Sequence, residues 1–347
     1  MSRNNDILIE TNETNEIIAV TGPGLVDIQI NGYAGMDFNL PPEQLSLEDV
    51  KKACLKMQSR GVVKILPTIN TDTIENMITY TRWVATLRQQ DELLNNMIAG
   101  FHIEGPFVSP EDGPRGAHPR EHVITPADAP HLLDDLQESS GGLVRLLTLA
   151  PELNGALELI EKATKDGVIV ALGHLNADPQ ILDEAVTAGA KLSTHLGNGS
   201  HAMLPRLDNY VQRQLADDRL AASFIADGHH IPFPTLKNFI RAKTPQRSIL
   251  ITDAIVAADM PVGYTYGVGS RRRRVDPDGA VRLPGTPYLA GSALTLDKAV
   301  INTARYCDVP FETAWAMAST IPAKLLNLPT PNRIKVDITE EGFKVHD

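Results

Sequence analysis

The sequence predicts an α/β fold in which eight β/α units close into a barrel. Two observations carry this. Eight short apolar runs, at 25–30, 63–68, 97–103, 144–149, 168–172, 191–194, 222–226 and 248–252, are separated for the most part by helical patterns. Strands buried on both faces read as such runs, and eight strand–helix alternations imply a parallel sheet that closes on itself. Four of the runs also end on a lone polar side chain, at Glu104, His174, His195 and Asp253. The C-terminal ends of the strands are where a (β/α)8, or TIM, barrel keeps its chemistry.

Taken in order, residues 6–20 alternate in β fashion ahead of the first run. Ser46-Leu-Glu-Asp49 is a capping-box start, with Asp in place of Glu, for a helix through Met57 that stops at Gly61. Residues 73–94 predict one long helix, with Ile74, Met77, Ile78, Trp83 and Leu87 on apolar spacing. Residues 106–130 have no apolar period and read as a long functional or mobile loop. Pro151 opens a helix carrying Leu157, Ile160 and Ala163, Asp178-Pro179 opens another through Ala188, and a further helix spans 234–241. Residues 262–289 read as a hairpin insertion around the turn Asp276-Pro-Asp-Gly279. Two helices, 292–306 and 310–327, close the barrel, and 333–345 alternates again. The expected organisation is a catalytic barrel at 23–328 and a small, reduced β domain from 1–22 and 329–347.

The chain has 347 residues, of which 42% are hydrophobic, enough for a barrel with a large core. Its net charge of -11 argues against nucleic acid as a partner but leaves room for an anionic substrate over a local basic patch. Cys54 and Cys307 form no disulfide framework, and no apolar run is long enough for a membrane helix. A soluble, cytoplasmic protein is the expectation, with a homodimer as the assembly to consider.

Glu and His side chains suit a divalent transition metal, and Glu104, His174 and His195 would leave a position open for water, the arrangement of catalytic sites. Asp253 beside them is a candidate acid–base residue. Period two puts His102 on the same side of its strand as Glu104, which makes it, with Gln29, a further candidate for the barrel mouth. Gln29 and Asn31 stand where many barrel metallohydrolases carry His-x-His, so one tightly held metal is expected, not two. His118 in the long loop, Asn198-Gly199 after His195, and the His229-His230 pair after the seventh run look like substrate contacts. The Arg271–Arg274 run is either a solvated face or a phosphate contact.

At these residues the chain resembles the N-acetylglucosamine-6-phosphate deacetylase family of the amidohydrolase superfamily. The matching segments, between about 23 and 328, are Pro23-Gly-Leu-Val-Asp-Ile-Gln-Ile-Asn-Gly32, His102-Ile-Glu-Gly-Pro106, Leu149-Ala-Pro-Glu152, Gly173-His174, Thr194-His-Leu196, Ile225-Ala-Asp-Gly228, Thr252-Asp-Ala254 and Ala290-Gly-Ser292. The resemblance implies zinc, or Fe, Mn or Co, on Glu104, His174 and His195. It implies proton transfer by Asp253, polarisation of the amide carbonyl by His118, and sugar phosphate contacts from Asn198, Gly199, Arg206 and His230. The chain departs from the family after His195, where Gly197-Asn-Gly-Ser-His-Ala-Met203 brings in an additional His201. The implied reaction is hydrolysis of the N-acetyl amide of an amino sugar phosphate. Its rivals are a related amidohydrolase acting on another N-acyl or cyclic amide, and a non-catalytic sugar-binding barrel.

Overall fold

The computed structural model describes residues 7–267, 273–282, 285 and 289–346. Eight strands form one parallel sheet in sequence order: Leu25–Ile30, Val62–Asn70, Phe101–Glu104, Val144–Leu149, Ile169–Leu172, Leu192–Ser193, Ala221–Ile225 and Ser248–Ile251. The first, third and eighth are buried at every residue, as expected of strands covered by side chains inside and helices outside. The sheet curls until its two edges meet. They join past the strand ends, where Asp253 donates its N–H to Gln29 O (3.0 Å) and Asn31 donates to Ala254 O (2.8 Å). The predicted eight-stranded α/β barrel is the architecture observed.

Local chemistry sets most helix limits. Ser46 and Asp49 form the capping box expected for the helix Leu47–Ser59. The helix expected at 73–94 is two, Ile74–Gln90 and Glu92–Met97. Asp91 breaks it: its backbone is extended, its carboxylate accepts from the N–H groups of Leu93 and Leu94, and Lys51 pairs with it at 2.7 Å. Met97 therefore ends a helix, and the third strand starts only at Phe101. The segment 310–327 also divides, into Phe311–Met317 and Thr320–Leu325, at Ser319. The helix predicted from Pro151 begins at Ala156 after a turn, and Leu132–Ser140 and Tyr210–Ala216 are helices that the apolar spacing did not announce.

Strands from both ends of the chain build a separate antiparallel sheet, in the order Leu8–Thr11, Ile17–Pro23, Arg333–Thr339, Gly342–Val345. It docks on the barrel through Phe343, whose ring stacks on Trp315 at 5.2 Å and whose N–H donates to the buried carboxylate of Asp297 (2.8 Å). The insertion forms a three-stranded sheet, Thr265–Tyr266, Arg273–Val275 and Val281–Arg282, turning at Asp276–Gly279. Arg271 and Arg272 lie outside the described residues; Arg274 is paired with Asp276 at 2.6 Å. Among the described residues, no helix is long and apolar enough to cross a membrane.

Candidate active site

Glu104 is the last residue of the third strand, and His174, His195 and Asp253 each follow a strand end by two residues. The barrel brings all four to one mouth. Three of them, His174 (φ +53°), His195 (φ +29°) and Asp253 (φ +48°), sit in the left-handed region, which costs a non-glycine residue energy and is held only where the surroundings demand it. That turn at each strand end swings the side chain inward.

The polar atoms converge tightly. His195 Nε2 lies 2.9 Å from Glu104 Oε1 and 3.0 Å from His174 Nε2. His174 Nε2 is 3.3 Å from Glu104 Oε1, and His118 Nε2 lies 3.3 Å from His174 Nε2. Donor atoms of Glu104, His118 and His174 all fall within 4.8 Å of one another, and His195 Nε2 lies against two of these three, Glu104 and His174. The long loop after the third strand is what carries His118 in. It also supplies Pro114 O, 2.8 Å from His174 Nδ1. A carbonyl only accepts, so the His174 proton is on Nδ1 and its Nε2 lone pair faces the site. Gly116 and Gly199 back the same ring: a Cβ on Gly199 would stand 2.5 Å from His174 Nδ1, and one on Gly116 3.2 Å from Cε1.

Electrostatics follow from burial and charge. Burial alone would raise the Glu104 carboxyl, but the His174 and His195 imidazoles against it hold it well below the usual range. Burial works against the charged form of His195 too, yet the Glu104 hydrogen bond and charge leave it above its ordinary value. Burial, then the neighbouring His174, push His118 down to about 3 against the pull of the Glu104 charge. Burial, then the Glu104 charge, raise Asp253 to about 6 against the pull of His195 and Asn31.

Gln29 and Asn31 line the first strand's end as amide donors. Gln29 Nε2 donates to Glu104 Oε1 (2.8 Å), and Asn31 Nδ2 to Asp253 Oδ1 (2.8 Å). Asn70 donates to Asn31 Oδ1 (2.8 Å), so it fixes the orientation of that amide. Neither Asn70 nor Thr71, whose hydroxyl lies 2.7 Å from His118 Nδ1, was anticipated. Both are polar residues at a strand end, the same signal that marked Glu104, but the second strand runs two residues past its predicted stop.

Other candidates lie elsewhere. His102 is not at the mouth. It is fully buried one layer below Glu104, 2.7 Å from Thr148 Oγ1, and burial pushes it down to about 4. Asn198 donates to His195 O (3.1 Å), a bond that shapes the loop. His230 Nδ1 is 2.6 Å from Asp227 Oδ2 and keeps an exposed edge, while its neighbour His229 reaches the insertion at Asp278 O (3.1 Å). His201 sits between Tyr210 and Glu111, and Arg206 is exposed without an ion pair among the described residues. A cavity of about 780 Å³ opens at the opposite end of the barrel, among Ile169, Lys191, Ala221, Arg247 and Leu325. It holds neither histidine nor carboxylate, so the chemistry belongs to the mouth.

Known proteins match the chain over most of its length, although no family model matches it. The human N-acetylglucosamine-6-phosphate deacetylase is 36% identical over 323 residues, 89% of this chain and 75% of that protein. The Bacillus subtilis (strain 168) enzyme of the same name is 31% identical over 88% of this chain and 75% of its own. An N-acetylgalactosamine-6-phosphate deacetylase of Shewanella sp. (strain ANA-3) is 32% identical, over 88% and 74%. Among solved structures, the Mycobacterium smegmatis N-acetyl-D-glucosamine-6-phosphate deacetylase superposes with a TM-score of 0.82 at 25% identity, covering 95% of this chain and 91% of that one. The chain, with its eight-stranded barrel and its Glu–His cluster at the mouth, belongs to the N-acetylglucosamine-6-phosphate deacetylase family.

Proposed function

We propose that this chain hydrolyses the N-acetyl amide of N-acetylglucosamine 6-phosphate, giving glucosamine 6-phosphate and acetate, with one divalent metal held by Glu104, His174 and His195. The observation that carries the reading is the convergence of those three side chains, with contacts of 2.9–3.3 Å, beside Asp253. The residues fit a metal. His174 turns a lone pair inward, and the Nε2 atoms of His174 and His195 face each other and the Glu104 carboxylate at distances that a cation relieves. The His195 Nδ1 atom is buried without a partner among the described residues, and a proton placed there leaves the Nε2 lone pair for the ion.

Zinc is the ion proposed; iron, manganese and cobalt accept the same donors. A divalent ion there supplies Lewis-acid activation of the carbonyl and of water. One ion is proposed because Gln29 and Asn31 present N–H groups to Glu104 and Asp253, not ligand nitrogens.

The side chains do the rest. Asn31 and Gln29 both donate to Asp253 Oδ1, the latter at 3.4 Å, which turns Oδ2 to the substrate. The Asp253 carboxylate takes a proton from the attacking water and passes it to the leaving nitrogen. His118 is neutral, and its Nδ1 pairs with Thr71 Oγ1 at 2.7 Å; where Thr71 is the donor of that bond, the ring proton is on Nε2, towards the carbonyl oxygen. The phosphate needs local donors in a chain of net charge -11; His230, with its exposed edge, and Arg206 supply them. Buried, reduced Cys54 and Cys307 fit a cytoplasmic enzyme.

Acetate release from N-acetylglucosamine 6-phosphate, its galactosamine epimer and unphosphorylated N-acetylglucosamine tests the substrate. A charge-assisted bond to phosphate is worth about 1.5–3 kcal/mol, so the phosphorylated sugar is expected to have a kcat/KM at least roughly tenfold higher, with His230→Ala narrowing the gap. Equal hydrolysis with and without phosphate would instead favour an amidohydrolase of the same build for another amide.

A further inference from the structure

Asp27 lies two residues before Gln29 on the first strand, fully inside the barrel at 1% exposure, and takes no part in the chemistry above. Its carboxylate reaches across the seam between the first and eighth strands. Thr252 Oγ1 donates to Asp27 Oδ2 at 2.5 Å, and Thr252 N–H donates to Oδ1 at 3.3 Å. Gln29 N–H donates to the same Oδ1 at 3.3 Å. At this level the two strand bodies share no ladder of backbone bonds, so a side chain stands in for the missing rungs.

The consequence falls on Asp253. With its proton committed to Asp27, the Thr252 hydroxyl offers a lone pair to the N–H of Ala254, at 3.1 Å. That bond spans Asp253 and bends the backbone around it, a hydroxyl turn of the kind Ser and Thr make locally. Asp253 sits at the apex with φ +48°, a conformation that asparagine and aspartate adopt more readily than other L residues when local hydrogen bonds support it. The apex then presents Oδ1 to Asn31 at 2.8 Å.

We propose that Asp27 is a positioning residue for Asp253: through Thr252 it holds the tight turn that aims the Asp253 carboxylate at the site. The proposal rests on the reading of Asp253 as the proton carrier. It also gives a use to a buried carboxylate that costs the fold its desolvation.

The test compares Thr252→Val, Thr252→Ser and Asp27→Asn in the metal-loaded enzyme, each alone and combined with Asp253→Asn. Thr252→Val keeps the shape and removes the hydroxyl; Asp27→Asn keeps the volume and removes the charge. Because small misplacements of a reacting group are costly, each is expected to lower kcat by about tenfold or more, with KM and metal content within about twofold of wild type. Thr252→Ser, which restores the hydroxyl, is expected to recover most of that loss. In the Asp253→Asn background, Thr252→Val should add less than about twofold, since the two act through one group. An undiminished kcat in folded Thr252→Val and Asp27→Asn would overturn the proposal, as would a full additional loss on top of Asp253→Asn. A lower melting temperature with unchanged kcat would reduce Asp27 to a seam fastener. If Asp253→Asn itself keeps normal turnover, the proton-carrier reading falls and the proposal with it; if only Asp253→Asn is impaired, the proposal alone falls.

Discussion

Replacing Gly199 by alanine puts a methyl group where the His174 ring already stands. The added Cβ would lie 2.5 Å from Nδ1, 2.8 Å from Cε1 and 3.1 Å from Cγ, and real Cβ atoms do not approach heavy atoms so closely. Position 199 also has φ +54°, a left-handed conformation that costs an L side chain about 1–2 kcal/mol. Overpacking a tight site adds roughly 1–3 kcal/mol if the ring stays in place. The variant should therefore lose about 2–5 kcal/mol of stability, or release part of it by pushing His174 away. A displaced ring gives up its 2.8 Å bond to Pro114 O, and losing such an outer partner weakens a metal site by about 10–100-fold. Thermal unfolding of the metal-free protein together with a metal titration reads both terms. Wild-type melting and wild-type metal affinity would refute the reasoning and return Gly199 to a sugar contact alone, whose loss would raise KM only.

Further outcomes follow from the same geometry. His195→Ala should lower metal occupancy sharply by elemental analysis, whereas His201→Ala, which touches Tyr210 and Glu111, should leave it unchanged. Asp253→Asn should keep the metal and lose roughly 10²-fold or more in kcat, as expected when general acid–base catalysis is removed; near-normal turnover would move the proton carrier elsewhere. Lys243 gives a stability test. Its ammonium is buried, donates to Gln214 O (2.7 Å) and Asp217 O (2.6 Å), and burial pushes it down to about 8. Between pH 8 and the ordinary lysine range the unfolded chain holds the extra proton, so stability from this group rises with pH. The stability advantage of wild type over Lys243→Met should grow from pH 8 to 10 in chemical denaturation; a shrinking advantage would reverse the assigned shift.

Much of the barrel was legible because each strand carries its own signal. Each of the eight apolar runs holds a strand, and Glu104, His174, His195 and Asp253 came to one mouth as their places at strand ends implied. Depth was not legible. Period two told that His102 and Glu104 point the same way, but not that His102 would sit in the layer below, against Thr148. Nor could apolar spacing show the break at Asp91, because the pattern runs straight across it and the stop is made by hydrogen bonds to Leu93 and Leu94. Outer partners were least visible of all. The Pro114 carbonyl that orients His174 is a backbone atom, and a Gly199 packed on a ring looks in sequence like any loop glycine. Such roles depend on where two distant segments meet, which one chain's residue order does not state.

The central claim is that one divalent ion at Glu104, His174 and His195 makes this barrel a deacetylase. Its most direct test is acetate release from N-acetylglucosamine 6-phosphate by chelator-treated protein to which zinc is returned stepwise, with bound metal measured at each step. Activity should be lost on chelation and return in full as occupancy reaches a single ion per chain. Full turnover in metal-free protein, or activity that appears only when a second ion binds, would contradict it.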